Sequence, residues 1–136
     1  MKYDVSMPRK DYFKAVDATR DMIKNATTLT QEEKDSIVTV SYGHIGDADL
    51  HITVSVPGYE NVDLQERLGA LVDPFVNAFI RDHHGSINAE HGMGQAKAKY
   101  LGYSKSPEMI SIMQQVKSVF DPNGIMNPYK VFPTTQ

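Results

Sequence analysis

Apolar residues recur at helical spacing in three stretches of the chain. The first runs from Arg9 to Asn25, the second from Val62 to Asp82, and the third begins after Ser106. The Ser106 side chain suits the N-cap of a helix, and a proline follows it in the first helical position. Pro74 lies inside the second stretch and predicts a kink or a break, because proline has no backbone N–H to donate.

Four shorter stretches favour β-strands. They span Val5–Met7, Ile37–Tyr42, Leu50–Val56 and Gly85–Ala89. The segment "GHIGDADL" has the glycine and aspartate residues of a turn, so the second and third strands are predicted to form a hairpin. The order strand–helix–strand–strand–helix–strand–helix is typical of an α+β ferredoxin-like sandwich, with a mostly antiparallel sheet and helices on one face.

The register of this hairpin is not obvious from the sequence. If His44 lay directly opposite His51, Val40 and Tyr42 would share a face of the sheet with polar residues of the next strand. Such mixing of apolar and polar rows is unfavourable when one face is buried. We therefore expect a bulge or a one-residue offset near the turn.

Length and composition indicate a globular chain and exclude several classes. The 136 residues fit a single domain, residues 1–136, and 40% of them are apolar. A net charge of −3 argues against a nucleic-acid partner, and no apolar run approaches the length of a membrane span. The absence of cysteine excludes disulfides, thiolate metal sites and thiol nucleophiles. The first residues, "KYDVSMP", have the pattern of a strand with no segment leading into it, so we expect more protein upstream.

The predicted hairpin could hold a metal ion between His44 and His51. Residues that face each other across an antiparallel pair have Cβ atoms about 4.5–5.5 Å apart, so two imidazoles there can bind one ion. Glu90 is a possible third ligand, and a bend at Gly92 could aim both Glu90 and His91 towards the same cavity. Two histidines and one glutamate suit zinc or iron, so the ligands do not fix the ion.

The same residues also have ordinary structural interpretations. A histidine near a turn is usually only solvated. Asp47 and Asp49 are typical turn residues that hydrogen-bond to their own backbone.

Three ordered motifs carry a resemblance to a known family. "YGHIGDADLH", "GSINAEHGMGQAK" and "FDPNGIMNPYKV" resemble segments of the C-terminal substrate domain of FAD-linked oxidases of the vanillyl-alcohol-oxidase type. They are most similar to D-2-hydroxyglutarate dehydrogenases and the related D-lactate dehydrogenases, a group in which some fungal members are named actin-interacting protein. The strand "KYDVSMP" is also similar to the family strand that leads into this domain.

The resemblance implies a metal centre and a base. The two histidines of the family pattern "GHxGDGNxH", here His44 and His51, hold a divalent ion that is usually zinc. The glutamate of "AEHG", here Glu90, completes the set, and the neighbouring His91 corresponds to the general base. A metal-bound D-2-hydroxy acid would lose its hydroxyl proton to this base and its hydride to FAD.

The resemblance also implies roles for four more residues. Lys2 corresponds to a lysine that helps to hold a substrate carboxylate. Thr53 occupies a position where D-2-hydroxyglutarate dehydrogenases tend to have an asparagine that contacts substrate. Asn127 and Lys130 belong to a segment on the flavin side of the site. The FAD itself would be held mainly by a domain upstream.

The hairpin departs from the family pattern at two further positions. Ala48 replaces the second glycine, and Asp49 replaces the asparagine. The first change alters the flexibility of the loop, and the second adds negative charge beside the metal ligands.

Two other functions remain open on the sequence alone. The chain could be a free-standing metal hydrolase, with Glu90 or His91 activating a bound water. It could also be a noncatalytic binding module, with actin as a possible partner that no sequence feature supports. The family further implies a mitochondrial location and allows a separate electron-acceptor protein.

Overall fold

The computed structural model describes residues 1–58 and 60–133. It divides into two compact units, Met1–Glu90 and His91–Gln136, which are described separately. Within the described ranges, no helix has both the length and the apolar character needed to cross a bilayer.

The first unit contains a three-stranded antiparallel sheet. Its strands are β1 (Lys2–Ser6), β2 (Val38–Tyr42) and β3 (Asp49–Ser55), arranged in the order β1-β3-β2. The β2–β3 hairpin predicted from the sequence is confirmed, with its ends within one residue of the predicted ones.

Three helices accompany this sheet: α1 (Tyr12–Asn25), α2 (Gln31–Ser36) and α3 (Val62–Asp82). The short α2 begins with a capping box, in which the side chains of Thr30 and Glu33 each accept a hydrogen bond from the other's backbone N–H.

One face of the sheet forms the core with α1 and α3. The Tyr3 hydroxyl on this face donates a hydrogen bond to Asp73 of α3 (2.6 Å). The core between the sheet, α1 and α3 consists of buried aliphatic side chains. They are Val5, Ile52 and Val54 from the strands, Val16 and Ile23 from α1, and Leu68, Val72, Val76 and Ile80 from α3. The α+β class and the placement of the helices on one face are therefore confirmed.

The predicted fourth strand at Gly85–Ala89 is reduced to a single bridge. Ser86 pairs with Ser6 through two backbone hydrogen bonds of 2.8 and 2.9 Å, next to β1. The ladder ends there because the Asn88 N–H, which the next pair would use, donates to Ser86 Oγ. The N–H groups of Ala89 and Glu90 then donate to the Asp4 carboxylate. The strand order is thus that of a ferredoxin-like sandwich whose fourth strand is one residue long.

The expected bulge or one-residue offset in the hairpin is wrong. Tyr42 lies opposite His51, and the pairing runs without interruption to Val38 opposite Ser55. This register is shifted by two residues from the one that would pair His44 with His51, so Val38 and Val40 do share a face with polar residues. The mixing is tolerated because this face is not covered by α1 and α3. Val38 is 56% exposed and Val40 44%.

Pro74 does not break α3, which is continuous over 21 residues. Its missing N–H removes one helical hydrogen bond, and buried apolar residues lie on both sides of it in the helix.

The second unit contains a 3₁₀ segment (Ala98–Tyr103) and α4 (Pro107–Phe120). The predicted cap is confirmed, since Ser106 Oγ accepts a hydrogen bond from the Met109 N–H (3.3 Å). Asp121 follows the last residue of α4 and fixes the backbone of the segment after it through hydrogen bonds. Its buried carboxylate accepts from the N–H groups of Ile125 and Met126, both at 3.0 Å.

Candidate metal centre

The turn of the hairpin has a fixed shape that places His44 beside the first residue of β3. The His44 carbonyl accepts hydrogen bonds from the N–H groups of Asp47 (2.9 Å) and Asp49 (3.3 Å). Gly43 makes this close approach possible, because a Cβ at that position would collide with the Asp49 carbonyl group. Ala48 takes the left-handed backbone conformation, with φ of 60°.

Glu90 reaches the same place from a distant part of the sequence. The buried Asp4 carboxylate accepts hydrogen bonds from the Ala89 N–H (3.1 Å) and the Glu90 N–H (3.2 and 3.3 Å to its two oxygens). Asp4 lies opposite His51 in the β1–β3 pair. Asp4 therefore fixes the backbone of Glu90 next to His51.

Four side chains meet at the hairpin mouth: His44, Asp49, His51 and Glu90. One nitrogen or oxygen atom from each lies within 4.8 Å of those of the other three. His44 Nδ1 is 3.0 Å from Asp49 Oδ2 and 3.3 Å from Glu90 Oε2. His51 Nε2 is 3.4 Å from Asp49 Oδ2 and 3.1 Å from Glu90 Oε1. The structure thus brings together the three predicted ligands and adds Asp49.

These separations are those of atoms that surround one metal ion. Ligand atoms at zinc-type bond lengths of about 2.0–2.1 Å are about 2.9 Å apart in an octahedron and about 3.4 Å apart in a tetrahedron. The four measured distances lie between 3.0 and 3.4 Å. Asp49 Oδ1 is also buried without a hydrogen-bond partner among the described residues, which is unfavourable for a carboxylate unless a cation lies nearby. The residues present therefore fit a divalent ion.

The electrostatics of the centre also favour a cation. The hydrogen bond that His44 donates to the Asp49 carboxylate, followed by the charge of Glu90, raises the pKa of His44 above its usual value. An ion would have to displace this proton. The Asp4 carboxylate lies 3.6 Å from His51 Nδ1, on the side of the ring away from Nε2. Carboxylates at this position often hold a metal-binding histidine in the tautomer that leaves Nε2 free.

The centre is closed on one side and open on the other. The side chains of Asp49 and His51 are 4% and 10% exposed, whereas those of Glu90 and His44 are 43% and 60% exposed. An ion and a small molecule can therefore approach past His44 and Glu90.

The predicted substrate residues Lys2 and Thr53 lie opposite each other in the β1–β3 pair. They are two residues along their strands from Asp4 and His51, so all four side chains are on the same face of the sheet. Both line a cleft of about 360 Å³. The Thr53 hydroxyl oxygen is buried and has no hydrogen-bond partner in the described part of the chain.

The other predicted residues lie in the second unit. His91 is its first residue and follows Glu90 directly in the chain. Asn127 and Lys130 both line an apolar groove of about 410 Å³ beside α4. Lys130 Nζ donates to Gln95 Oε1 (3.4 Å), and Asn127 has a left-handed backbone with φ of 48°.

Asp4 and Asp49 are the residues of the centre that the sequence interpretation missed. A signal for Asp49 was present, because residues two apart in a strand share a face, and Asp49 precedes His51 by two. No comparable signal existed for Asp4, since its place opposite His51 depends on the pairing of two strands distant in sequence.

Comparison with known proteins agrees with the motifs. The family model described as FAD linked oxidases, C-terminal domain, matches residues 1–131. A protein of Schizosaccharomyces pombe named as a mitochondrial D-lactate dehydrogenase is 39% identical over 130 residues, which are 95% of this chain and 24% of that protein. The mitochondrial D-2-hydroxyglutarate dehydrogenases of Rattus norvegicus and Arabidopsis thaliana are 40% and 37% identical over 132 residues. These cover 97% of this chain and 22% and 21% of the two relatives.

The chain thus spans about a quarter or less of the length of these relatives. The resemblance read from the three motifs is confirmed, and the hairpin centre lies within the matched residues. The chain belongs to the family of C-terminal domains of FAD-linked oxidases.

Proposed function

We propose that this chain is the metal- and substrate-binding half of a flavin-dependent D-2-hydroxy-acid dehydrogenase. The enzyme would oxidise D-2-hydroxyglutarate or D-lactate to the 2-oxo acid, and its FAD would be bound mainly by another part of the protein. The chain by itself would be inactive. The observation that carries the proposal is the meeting of His44, His51 and Glu90 at one point, in a chain of the FAD-linked oxidase family.

In this proposal His44, His51 and Glu90 hold a divalent ion, and we favour zinc. When bound, the ion supplies a Lewis acid that lowers the pKa of the substrate hydroxyl. The two buried side chains, those of Asp4 and His51, form the closed side of the centre. The exposed sides of His44 and Glu90 leave the opening through which the hydroxy acid enters.

Lys2 and Thr53 would bind the far end of the substrate. Two residues of β-strand separate them from the level of Asp4 and His51, which corresponds to about 6.7 Å. A second carboxylate of a five-carbon diacid could reach Lys2 over that distance, whereas lactate has no group to place there. The buried, unpartnered Thr53 hydroxyl offers a donor beside it. These contacts favour D-2-hydroxyglutarate over D-lactate.

His91 would take the proton of the substrate hydroxyl. The support for this role is the family resemblance and its position next to Glu90 in the chain. An imidazole is a suitable general base near neutral pH. The hydride from the α-carbon would go to the flavin, and Asn127 and Lys130 would lie on the flavin side. A separate protein would serve as the electron acceptor, and the relatives' names favour mitochondria as the location.

Elemental analysis of the purified chain tests the metal part of the proposal. We expect close to one divalent ion per chain, and loss of that ion in His44→Ala and His51→Ala. His84→Ala is the matched control, because it removes an exposed imidazole that the proposed centre does not use. A chain that takes up no ion would instead favour a noncatalytic binding module, for which actin is one partner to test.

Turnover requires the whole protein that contains this chain. We expect His91→Ala to abolish oxidation of D-2-hydroxy acids while the metal content stays close to that of the parent. Equal turnover in the variant would contradict the role of His91. Esterase or phosphatase activity in the metal-loaded chain alone would point to a hydrolase instead.

A further inference from the structure

We propose that Asp49 is a fourth protein ligand of the divalent ion, so that the centre consists of two histidines and two carboxylates. This inference rests on the proposed metal site and adds to it a residue that the family pattern does not contain, since that pattern has asparagine at this position. The consequence is a centre with a different charge and a different preference among ions.

The position of the Asp49 carboxylate carries the inference. A single oxygen, Oδ2, lies 3.0 Å from His44 Nδ1 and 3.4 Å from His51 Nε2. Glu90 makes the matching pair of approaches to the same two nitrogens, at 3.3 and 3.1 Å. Glu90 uses one oxygen for each nitrogen, Oε2 for His44 and Oε1 for His51, whereas Asp49 uses the same oxygen for both. An ion between the two imidazoles is therefore within reach of Asp49.

Burial provides a second, independent observation. The Asp49 side chain is only 4% exposed, and its Oδ1 has no hydrogen-bond partner among the described residues. A buried, ionised carboxylate in this state is expensive unless it is paired or coordinates a metal. The hydrogen bond from His44 goes to Oδ2, so within the described residues it leaves the lone pairs of Oδ1 unused.

The alternative is that Asp49 only orients His44. Carboxylates commonly accept a hydrogen bond from the ring nitrogen that does not bind the metal. That arrangement would not account for the approach of the same oxygen to His51 Nε2. The ring nitrogen of His51 on the other side already faces a different carboxylate, that of Asp4.

A second carboxylate changes the charge of the centre. Two neutral imidazoles and two carboxylates balance the charge of a divalent cation, whereas an asparagine at position 49 would leave a net charge of +1. The additional anionic oxygen also shifts the donor set towards ions that prefer oxygen ligands, such as Mn²⁺. We therefore expect the chain to retain Mn²⁺ better than its Asp49→Asn variant.

Cobalt provides a direct test, because the chain contains no cysteine. Asp49→Cys loaded with Co²⁺ should show a near-ultraviolet thiolate-to-cobalt charge-transfer band, which can arise only from position 49. Asp47→Cys is the matched control, since it places a thiol in the same turn on an exposed residue. We expect the band in the first variant and not in the second.

The possible results separate the two proposals. If the parent chain binds Co²⁺ and Asp49→Cys gives no band, Asp49 is not a ligand and only this inference fails. If the parent takes up no Co²⁺, the proposed metal site fails as well.

Should Asp49→Cys not fold, Asp49→Asn replaces it, with the visible Co²⁺ bands and chelator competition as readouts. An affinity lowered at least about tenfold with altered bands supports ligation. Unaltered bands overturn it, whatever the affinity.

Discussion

Replacing Gly43 with alanine should damage the fold and the metal centre together. An added Cβ would collide with the Asp49 carbonyl oxygen, and it would lie 3.0 Å from the carbonyl carbon and 3.1 Å from Leu50 Cα. All three atoms belong to backbone, which cannot swing away as the end of a side chain can. The two strands must therefore separate at the point where His44 and Asp49 approach each other.

The structure sets the size of the effect. The carbonyl carbon alone would require the mouth to open by 0.4 Å to reach ordinary contact at 3.4 Å, and the carbonyl oxygen, which lies closer, requires more. That movement stretches the hydrogen bond from the Asp49 N–H to the His44 carbonyl, now 3.3 Å, beyond useful length. The lost hydrogen bond contributes about 1 kcal/mol and the overpacking about 1–3 kcal/mol. Gly43→Ala should therefore lower the free energy of unfolding by about 2–4 kcal/mol.

Urea unfolding followed by far-ultraviolet circular dichroism measures this loss. With a slope of about 2 kcal/mol per molar, the midpoint should fall by about 1–2 M. Gly46→Ala is the matched control in the same turn, because its added Cβ would meet no atom within 4 Å. Chelator competition on the folded protein should show weaker Co²⁺ binding in Gly43→Ala alone. Equal midpoints for the two variants would refute the packing argument.

Three further changes test other parts of the first unit. Ala48→Gly should stabilise it by up to about 1.6 kcal/mol in thermal unfolding, since relief of the left-handed backbone (about 1–2 kcal/mol) offsets the added entropy of the unfolded chain (about 0.4–1 kcal/mol); a lower melting temperature would contradict this. Asp4→Asn should weaken Co²⁺ binding at least tenfold by loosening the backbone of Glu90, and unchanged affinity in chelator competition would argue against that positioning role. The hydrogen bond from Arg67 lowers the pKa of Glu33 to about 2. The ionised Glu33 therefore contributes fully to stability above about pH 4.5, and this contribution disappears as the pH falls towards 2. Glu33→Gln should remove that part of the pH dependence of the urea midpoint, and an unchanged profile would show that the pair adds nothing.

Much of the fold could be predicted because its elements are encoded locally. The apolar repeat of α3 gives its bounds, Val62 to Asp82, and the Ser106 side chain marks the start of α4. The hairpin follows from two β-branched runs around a turn. In each case the residues that specify the element are close together in sequence, so their pattern is visible without knowledge of tertiary contacts.

The errors arose where a distant contact decides the outcome. The length of the fourth strand depends on Asp4, which is more than 80 residues away and takes the N–H groups of Ala89 and Glu90. The register of the hairpin depends on which face of the sheet α1 and α3 cover. Val40 could be placed on the uncovered face only once those helices were located. Hydrophobic periodicity reports neither kind of information.

The shortened strand explains how a glutamate so far along the chain reaches the histidines. Had the strand continued to pair with β1 beyond Ser86, its antiparallel register would place Glu90 opposite Lys2. Lys2 is two residues from Asp4, the partner of His51, so the carboxylate would lie about 6.7 Å along the sheet from the hairpin mouth. Asp4 instead accepts the N–H groups of both Ala89 and Glu90 and holds Glu90 at the level of His51. One buried carboxylate thus takes the place of continued strand pairing, and it brings Glu90 to the two histidines of the candidate metal centre.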